Sequence, residues 1–444
     1  MHVRCRRDRW WMGRWWAVVL CLLIPTLQGA ATVGHASGAG NPQVRSSLQH
    51  SRVDGSPTLF AVDGRTGHVV VLSDEPHASL SVLDGRSGAL LHTVRVEAGA
   101  VDLAVDDTTR RIFVATKGPE TAPFTTPTTL YTLDADSGRI LQATNQYTRT
   151  TKLLVAGHGT RLVIIDGPSL RIVDAATGRL LHTLAIGQLS GAYGPSALVD
   201  RPTGRVFLLG ADSRLTALDP LTGRSIFVVR LQPSIGLCSK DSACDFVDDD
   251  RQRHLVVTEN PMADPTVTSE AAATVAIVAS ATGRVLHETY VYGYAQDTPS
   301  GSVQGVDPAN GRAFFVLNPA FPTDNSAPQT SPVYVHLLDT GTGATVGTVG
   351  DRSISSDTIL QHNTVLAGFG VDAVRHRAFA INPSGANGLV VFDPRNGRVI
   401  HAFSRSAVFV TSVNLVVDQQ TGKVFFGANT DAHGSVGILD ASRL

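Results

Sequence analysis

One turn is written into this chain again and again: Asp, two residues, Thr or Ser, Gly, and usually Arg. It appears as Asp84-Gly85-Arg86-Ser87-Gly88, Asp134-Ala135-Asp136-Ser137-Gly138, Asp174-Ala175-Ala176-Thr177-Gly178 and Asp219-Pro220-Leu221-Thr222-Gly223. It returns as Asp393-Pro394-Arg395-Asn396-Gly397, with Asn in the fourth place, and as Asp418-Gln419-Gln420-Thr421-Gly422. The Asp carboxylate can take backbone N–H groups one or two residues on, and the Gly reaches the positive φ that closes the turn. Apolar, β-branched runs stand on both sides, as in Leu170-Arg171-Ile172-Val173 and Arg205-Val206-Phe207-Leu208-Leu209. That is strand composition, so each unit predicts a short hairpin with a loop of three to five residues.

Two versions of the hairpin alternate. In the first, Val-Asp precedes a short turn and a Phe/Val-rich strand, as from Val199-Asp200 to Leu209 and from Val371-Asp372 to Ile381. In the second, Leu-Asp or Val-Asp leads to Thr-Gly-Arg and a Leu-Leu or Val-Leu pair, as from Val173-Asp174 to Leu181. Two hairpins in tandem make four antiparallel strands, which is one propeller blade. First-version turns fall near residues 63, 106, 156, 200, 248, 307, 372 and 418, and second-version turns near 84, 134, 174, 219, 279, 339, 393 and 440. The spacing of about 51 residues is at the long end for a blade. The pattern predicts an all-β, single β-propeller of eight four-stranded blades, with seven as the alternative. The last pair stops at Leu439-Asp440-Ala441-Ser442-Arg443-Leu444, before a fourth strand. An N-terminal segment, with Gln43-Val44-Arg45-Ser46-Ser47-Leu48 the best candidate, is expected to close the ring and remove the exposed edge.

The 444 residues would ordinarily suggest several domains, but a repeat array absorbs them in one. No long stretch has helical periodicity. The expected division is a signal peptide and short linker over 1–36 and the propeller over 37–444. Arg4, Arg6, Arg7, Arg9 and Arg14 precede the short apolar run Ala17 to Ile24, which ends at Pro25. Small residues follow, with cleavage after Ala31 or Ala36, and the pattern reads as an export signal to the cell envelope or exterior. An uncleaved anchor is the alternative. Arg9 stands where a twin-arginine signal usually has an apolar residue, and Cys21 lacks the small-residue surroundings of a lipoprotein signal. Five Arg against one Asp lie in 1–31, so the remainder carries a net charge of −5. No electrostatic footprint for nucleic acid is present.

Beyond the signal only Cys238 and Cys244 remain. In an exported protein such a close pair reads as a disulfide pinning one loop. A redox-active pair is less consistent with a five-residue spacer, and zinc would need further ligands.

The repeats Phe314-Phe315-Val316-Leu317-Asn318, Ala378-Phe379-Ala380-Ile381-Asn382 and Phe425-Phe426-Gly427-Ala428-Asn429, with the Leu-Asp-x-x-Thr-Gly halves, resemble the YVTN/YncE-like β-propeller repeat family. The resemblance covers residues 59–444 and implies an exported bacterial propeller with a binding role. The chain lacks the Tyr-Val-Thr-Asn tetrapeptide and carries long inserts. The Asp-x-x-Thr-Gly turn also resembles quinoprotein dehydrogenase propellers, but those follow it with a Trp. Here all four Trp, at 10, 11, 15 and 16, lie inside the signal. The same absence argues against WD40 repeats, which need a Trp-Asp pair.

No nucleophile elbow, zincin helix or phosphate loop occurs, and Gly341-Thr342-Gly343 reads as an ordinary second-version turn. His92, His182, His287 and His401 all stand four residues after the turn Gly, which marks a repeat position rather than catalysis. His254, His376 and the cluster Asp241, Asp245, Asp248, Asp249 and Asp250 are expected to be solvated; the cluster does not match a calcium loop. No catalytic residue, metal or cofactor is predicted.

All the tight turns join strands 1–2 and 3–4, so they share one face. The long segments Lys117 to Thr129, Asn260 to Ala272, Asn318 to Pro332 and Gly350 to Gly368, with the cysteine loop and Tyr292-Gly293-Tyr294, share the other. Elaborated loops on a rigid scaffold point to binding. Asn260, Asn318, Asn382 and Asn429 recur just after strand 2 on that face and are the candidate ligand-binding residues. The expected function is a binding module for a protein, peptide or glycan, acting as a monomer. The alternative is a lactonase- or lyase-like enzyme at the channel mouth.

Overall fold

The computed structural model describes residues 48–74, 78–96, 99–118, 127–147, 150–186, 196–210, 214–231, 244–259, 271–292, 300–318, 334–349, 368–381, 387–404, 408, 410–429 and 434–444. All belong to one unit, Asn41–Leu444. The described residues form eight four-stranded antiparallel sheets and one 3-10 turn, Ala441–Arg443. Seven sheets take their strands in sequence order: blade 1 spans 56–95, blade 2 100–147, blade 3 150–185, blade 4 196–230, blade 5 244–292, blade 6 300–349 and blade 7 368–404. Blade 8 takes three strands from 410–440 and its fourth from the N-terminus, Leu48–Arg52. Leu48 pairs with Leu439 and Arg52 with Ser435, so the ring closes as expected. The closing strand starts at the last residue of the expected segment and continues beyond it; 43–47 lie outside the described residues.

The first strand of every blade packs on the first strand of the next, and that of blade 8, Val410–Asp418, packs on that of blade 1, Ser56–Val62. Those eight strands therefore surround the axis. Strands 2 and 3 alternate their side chains toward the two neighbouring blades, so the interior divides into one apolar core per seam. Val70, Leu72, Leu80 and Val82 of blade 1 meet Ile112, Val114 and Leu133 of blade 2. Phe207, Leu209 and Leu215 of blade 4 meet Leu255, Val257 and Val278 of blade 5. At the closing seam Val69, Val71 and Leu83 meet Phe425, Val436 and Ile438. The seams use Phe where a Trp might stand: between blades 6 and 7, the Phe314 ring lies 4.8 Å from Phe369 and 5.8 Å edge-on from Phe392. Ring pairs at these separations add to the area they bury.

The tight turns have the expected place and a finer chemistry. In the second-version turn, Asp84 Oδ1 accepts the Ser87 N–H and the Ser87 hydroxyl, each at 2.7 Å, and Ser87 Oγ in turn accepts Ala89 N–H at 3.2 Å. The Ser or Thr of the motif is thus a relay between the carboxylate and the outgoing strand. The same set recurs at Asp134–Ser137 and Asp174–Thr177. Gly341-Thr342-Gly343 is such a turn, capped by Asp339.

Candidate functional site: the axial strands and the two rims

Two sets of chemistry gather near the axis. The first lies in the first strands, toward the end from which the long connections leave. Four of these eight strands carry a β-bulge, at 57/59, 100/102, 150/152 and 303/305, and the strand of blade 8 has a longer break in register at 410/415. A bulge leaves a residue out of the ladder and re-aims its neighbours. Side chains of the preceding blade answer some of the freed backbone groups. Asp102 Oδ2 accepts Leu153 N–H at 2.7 Å across the seam of blades 2 and 3, with Lys152 Nζ at 3.8 Å. Asn414 Nδ2 donates to Thr58 O at 2.7 Å across the closing seam. In blade 5 the Thr258 hydroxyl takes this part, accepting Val303 N–H at 3.3 Å. Asp245 stands four residues before its turn Asp, as Asp102 does. Burial raises the Asp102 carboxyl above the usual range against the pull of Lys152, and burial alone raises Asp245.

The second set is the ring of first-version turns at the opposite end. In seven blades an Asp closes the strand or directly follows it, at 63, 106, 200, 249, 307, 372 and 418, and all are 0–2% exposed. Blade 3 has Ala156 in that place. Each turn holds the next. Gly64 N–H donates to Asp107 at 3.1 Å, Thr108 Oγ1 to His158 O at 3.2 Å, and Gly157 N–H to Gly204 O at 2.9 Å. Farther round, Arg251 donates to Ala309 O at 2.9 Å, Asn310 Nδ2 lies 2.9 Å from His376 Nδ1, and Ala373 N–H donates to Gln419 Oε1 at 3.1 Å. Gln420 donates to Gly64 O and closes the circle. Between blades 4 and 5 the contact is different: Asp200 faces Asp248, with Arg253 Nη1 4.0 Å from Asp200 Oδ2.

The structure corrects two expectations. The acidic cluster is not a solvated turn. Asp249 is fully buried and accepts Arg251 N–H, Gln252 N–H and the Thr340 hydroxyl of the next blade. Asp248 is half-buried and Asp245 lies in the first strand; Asp241 is outside the described residues. His254 and His376 are also seam groups, with His254 Nδ1 2.9 Å from Thr340 O. Their positions after a turn suggested solvent because the sequence does not display the blade beside them. The repeated histidines occupy a packing slot where their contacts are described. His92 and His182 lie under the outer-turn glycines of the next blades, Gly138 and Gly223.

Asn318 and Asn429 end the second strands of blades 6 and 8, at the end carrying the long connections. Asn260 and Asn382 lie outside the described residues, as does Cys238; Cys244 opens the first strand of blade 5, its backbone paired with Glu259. Asp102 and Lys152 were not anticipated, and Asp245 was read only as part of the acidic cluster. For Asp102 the signal was a charged residue between apolar neighbours of the first strand, Val101 and Leu103. Among the described residues no group of three or more His, Cys, Asp or Glu is placed to hold a metal ion, and no helix is long and apolar enough to cross a membrane.

Comparison with known proteins agrees on the architecture. The crystal structure of BamB from Moraxella catarrhalis superposes with a TM-score of 0.54 at 15% identity, covering 88% of this chain and 98% of that one. The C-terminal WD40 domain of Sif2 gives 0.57 at 9% identity, covering 88% and 98%. The dihydro-heme d1 dehydrogenase NirN in complex with DHE gives 0.54 at 15%, covering 90% and 77%. At these identities the likeness is one of fold. No curated protein matches the chain by sequence. The family model of the outer membrane protein assembly factor BamB matches residues 76–315, more than half of the chain, and the chain belongs to that family.

Proposed function

We propose that this member of the BamB family is an exported interaction module that binds a protein partner through the end of the propeller bearing the long connections. What carries the reading is the contrast between the two ends. At the tight-turn end, carboxylates and backbone groups are engaged with one another around the ring. The long connections leave from the other end, between Lys117 and Thr128, Glu259 and Ala271, and Asn318 and Tyr334. Asn260, Asn318, Asn382 and Asn429 stand at that rim in this reading, and the Cys238–Cys244 disulfide shapes one of its loops. The YVTN/YncE-like repeats and the N-terminal export signal fit the same picture of an envelope protein. The assembly role in the family's name adds weight to a protein partner over a small ligand.

The test places a photo-crosslinking residue at several positions of both ends and asks where envelope proteins attach. Adducts concentrated at 119–126, 260–270 and 319–333, and lost when 319–333 is shortened, are expected. Adducts concentrated on the turns at 64–66 and 373–375 would sink the reading.

A second reading has one specific observation behind it: a buried carboxyl, Asp102, and a half-buried one, Asp245, both raised by burial, on axial strands. Groups held at raised pKa in such places serve enzymes as acids or bases. A lactonase- or lyase-like activity would then fall sharply in Asp102→Asn or Asp245→Asn while partner binding stayed intact.

A further inference from the structure

The seam between blades 4 and 5 is unlike the other seven. There the rim is joined by two acidic side chains rather than by a donor and an acceptor. Asp200 ends the first strand of blade 4 and is 1% exposed. Its Oδ2 accepts the Thr203 hydroxyl of its own turn and faces Arg253 at 4.0 Å. Its Oδ1 is buried and meets no N–H or O–H donor. Asp248, next to the end of the first strand of blade 5, likewise has a buried Oδ1 without a donor. These two carboxyl groups lie within hydrogen-bond reach of each other. Two bare acceptors in contact are repulsive, and burying them unpaired is costly. A proton on one turns the same contact into a charge-assisted O–H···O bond.

We propose that Asp200 and Asp248 share one proton across the seam of blades 4 and 5, and that this proton is the latch closing the tight-turn rim at that point. The surrounding groups leave the proton as the available link. Asp249 is committed to Arg251 N–H, Gln252 N–H and Thr340. Arg251 is committed to Ala309 O of blade 6. Asp250 adds negative charge from the same turn. From blade 3, the turn carrying His158 approaches Gly204 through its backbone. Arg201, on the Asp200 turn, lies near enough to Asp107 of blade 2 to act on its charge. Among the ion pairs of the described residues, Asp200 meets Arg253, at the outer limit of such a pair. Arg253 has φ +62°, as Arg110 and His376 have +57° and +54° in the same turn place of blades 2 and 7, where blades 1, 4, 6 and 8 have Gly67, Gly204, Gly311 and Gly422. Burial first, then the charges of Asp200, Asp250 and Asp249, push Asp248 up to about 8.

The sign follows from linkage. An acid raised in the folded state favours folding most when both states hold the proton, below the unfolded value of 3.8. That contribution drains as pH rises and is gone above about 8. The full chain should therefore lose thermal stability between about pH 4 and pH 8, with this pair supplying about 3 °C or more of the fall.

The experiment is thermal unfolding across that window for the wild type, Asp248→Asn, Asp200→Asn and the double variant, with Asp245→Asn as a control for a raised acid away from the pair. An amide holds the bridging hydrogen at every pH. Asp248→Asn should melt higher than wild type near pH 9 and show a flatter pH profile. Asp200→Asn should remove a smaller part of the slope, because the burial of Asp248 persists, and the double variant no more than Asp248→Asn alone. Asp245→Asn should leave that part in place. A wild-type slope in Asp248→Asn, or additive slopes in the double variant, would overturn the latch. If the variants do not fold, difference infrared spectra of the wild type decide. A carboxylic-acid carbonyl band that bleaches as pH passes about 8 is expected, and no such band at neutral pH overturns the proposal.

Discussion

The inner and outer turns share a motif and put it to different work. Asp174 of an outer turn keeps 26% of its side chain in solvent and bonds within its own loop, to the Thr177 N–H at 2.9 Å and the Thr177 hydroxyl at 2.8 Å. Asp249 of an inner turn has no exposure and reaches the neighbouring blade through Thr340. Asp84, Asp134, Asp219 and Asp339 follow Asp174 in being half-buried, whereas Asp393 is covered by its own Arg395. Distance from the axis makes the difference. Near the axis, turns of adjacent blades touch; at the periphery the sheets splay and a turn must satisfy itself. One motif therefore serves as a seam fastener inside and as a hairpin clip outside.

The comparison would break first at Asp249. Asp249→Ala strands two backbone donors and the Thr340 hydroxyl in a buried place, with an expected loss of about 3 kcal/mol. Asp174→Ala should cost about 1 kcal/mol, because water replaces the lost partner. Equal losses in chemical unfolding would mean that the inner ring fastens nothing.

The next test sits where an outer turn does touch its neighbour. Gly223 has φ +68°, and a Cβ there would come within 2.7 Å of the His182 ring of the preceding blade. Gly223→Ala should cost about 2–3 kcal/mol, of which about 1–2 is backbone strain. Adding His182→Ala should recover the remainder in a double-mutant cycle. No recovery would show that the histidine slot is not a packing slot.

These cases also mark where the sequence could be read. The Asp-x-x-Thr-Gly turns, the eight-blade count and the missing fourth strand after Asp440 were all visible, because they follow from local periodicity and turn chemistry. Asp200 and Asp248 are 48 positions apart in the chain and belong to separate repeats, so nothing local reports that they meet. The same holds for Asp102 and Leu153. The cluster near Asp248 looked like a hydrated turn because its density of charge was evident and its burial was not. Burial at an axial turn is a property of the ring. The repeat predicts the ring, yet does not say which of its carboxylates lacks a donor.

The smallest effect sharpens the outer half of the comparison. The Thr177 hydroxyl, followed by burial in the opposite sense and the Thr177 N–H, holds the Asp174 carboxyl below its usual range. A carboxyl lowered by folding contributes stability that is present above its unfolded value of 3.8 and drains as pH falls below it. Thr177→Val keeps the shape and removes the hydroxyl, so it should cost about 0.5–1 kcal/mol near neutral pH. The exposure of Asp174 keeps that figure small. The gap between Thr177→Val and wild type should narrow below about pH 3, where the carboxyl is protonated in both. This acid-side loss is opposite in direction to the alkaline loss expected at the Asp200–Asp248 seam. Chemical unfolding at acid, neutral and alkaline pH therefore separates the two kinds of turn. A Thr177→Val difference unchanged at low pH would mean that the relay works through the neutral hydroxyl and backbone alone, and that the charge on the outer Asp is incidental to the clip.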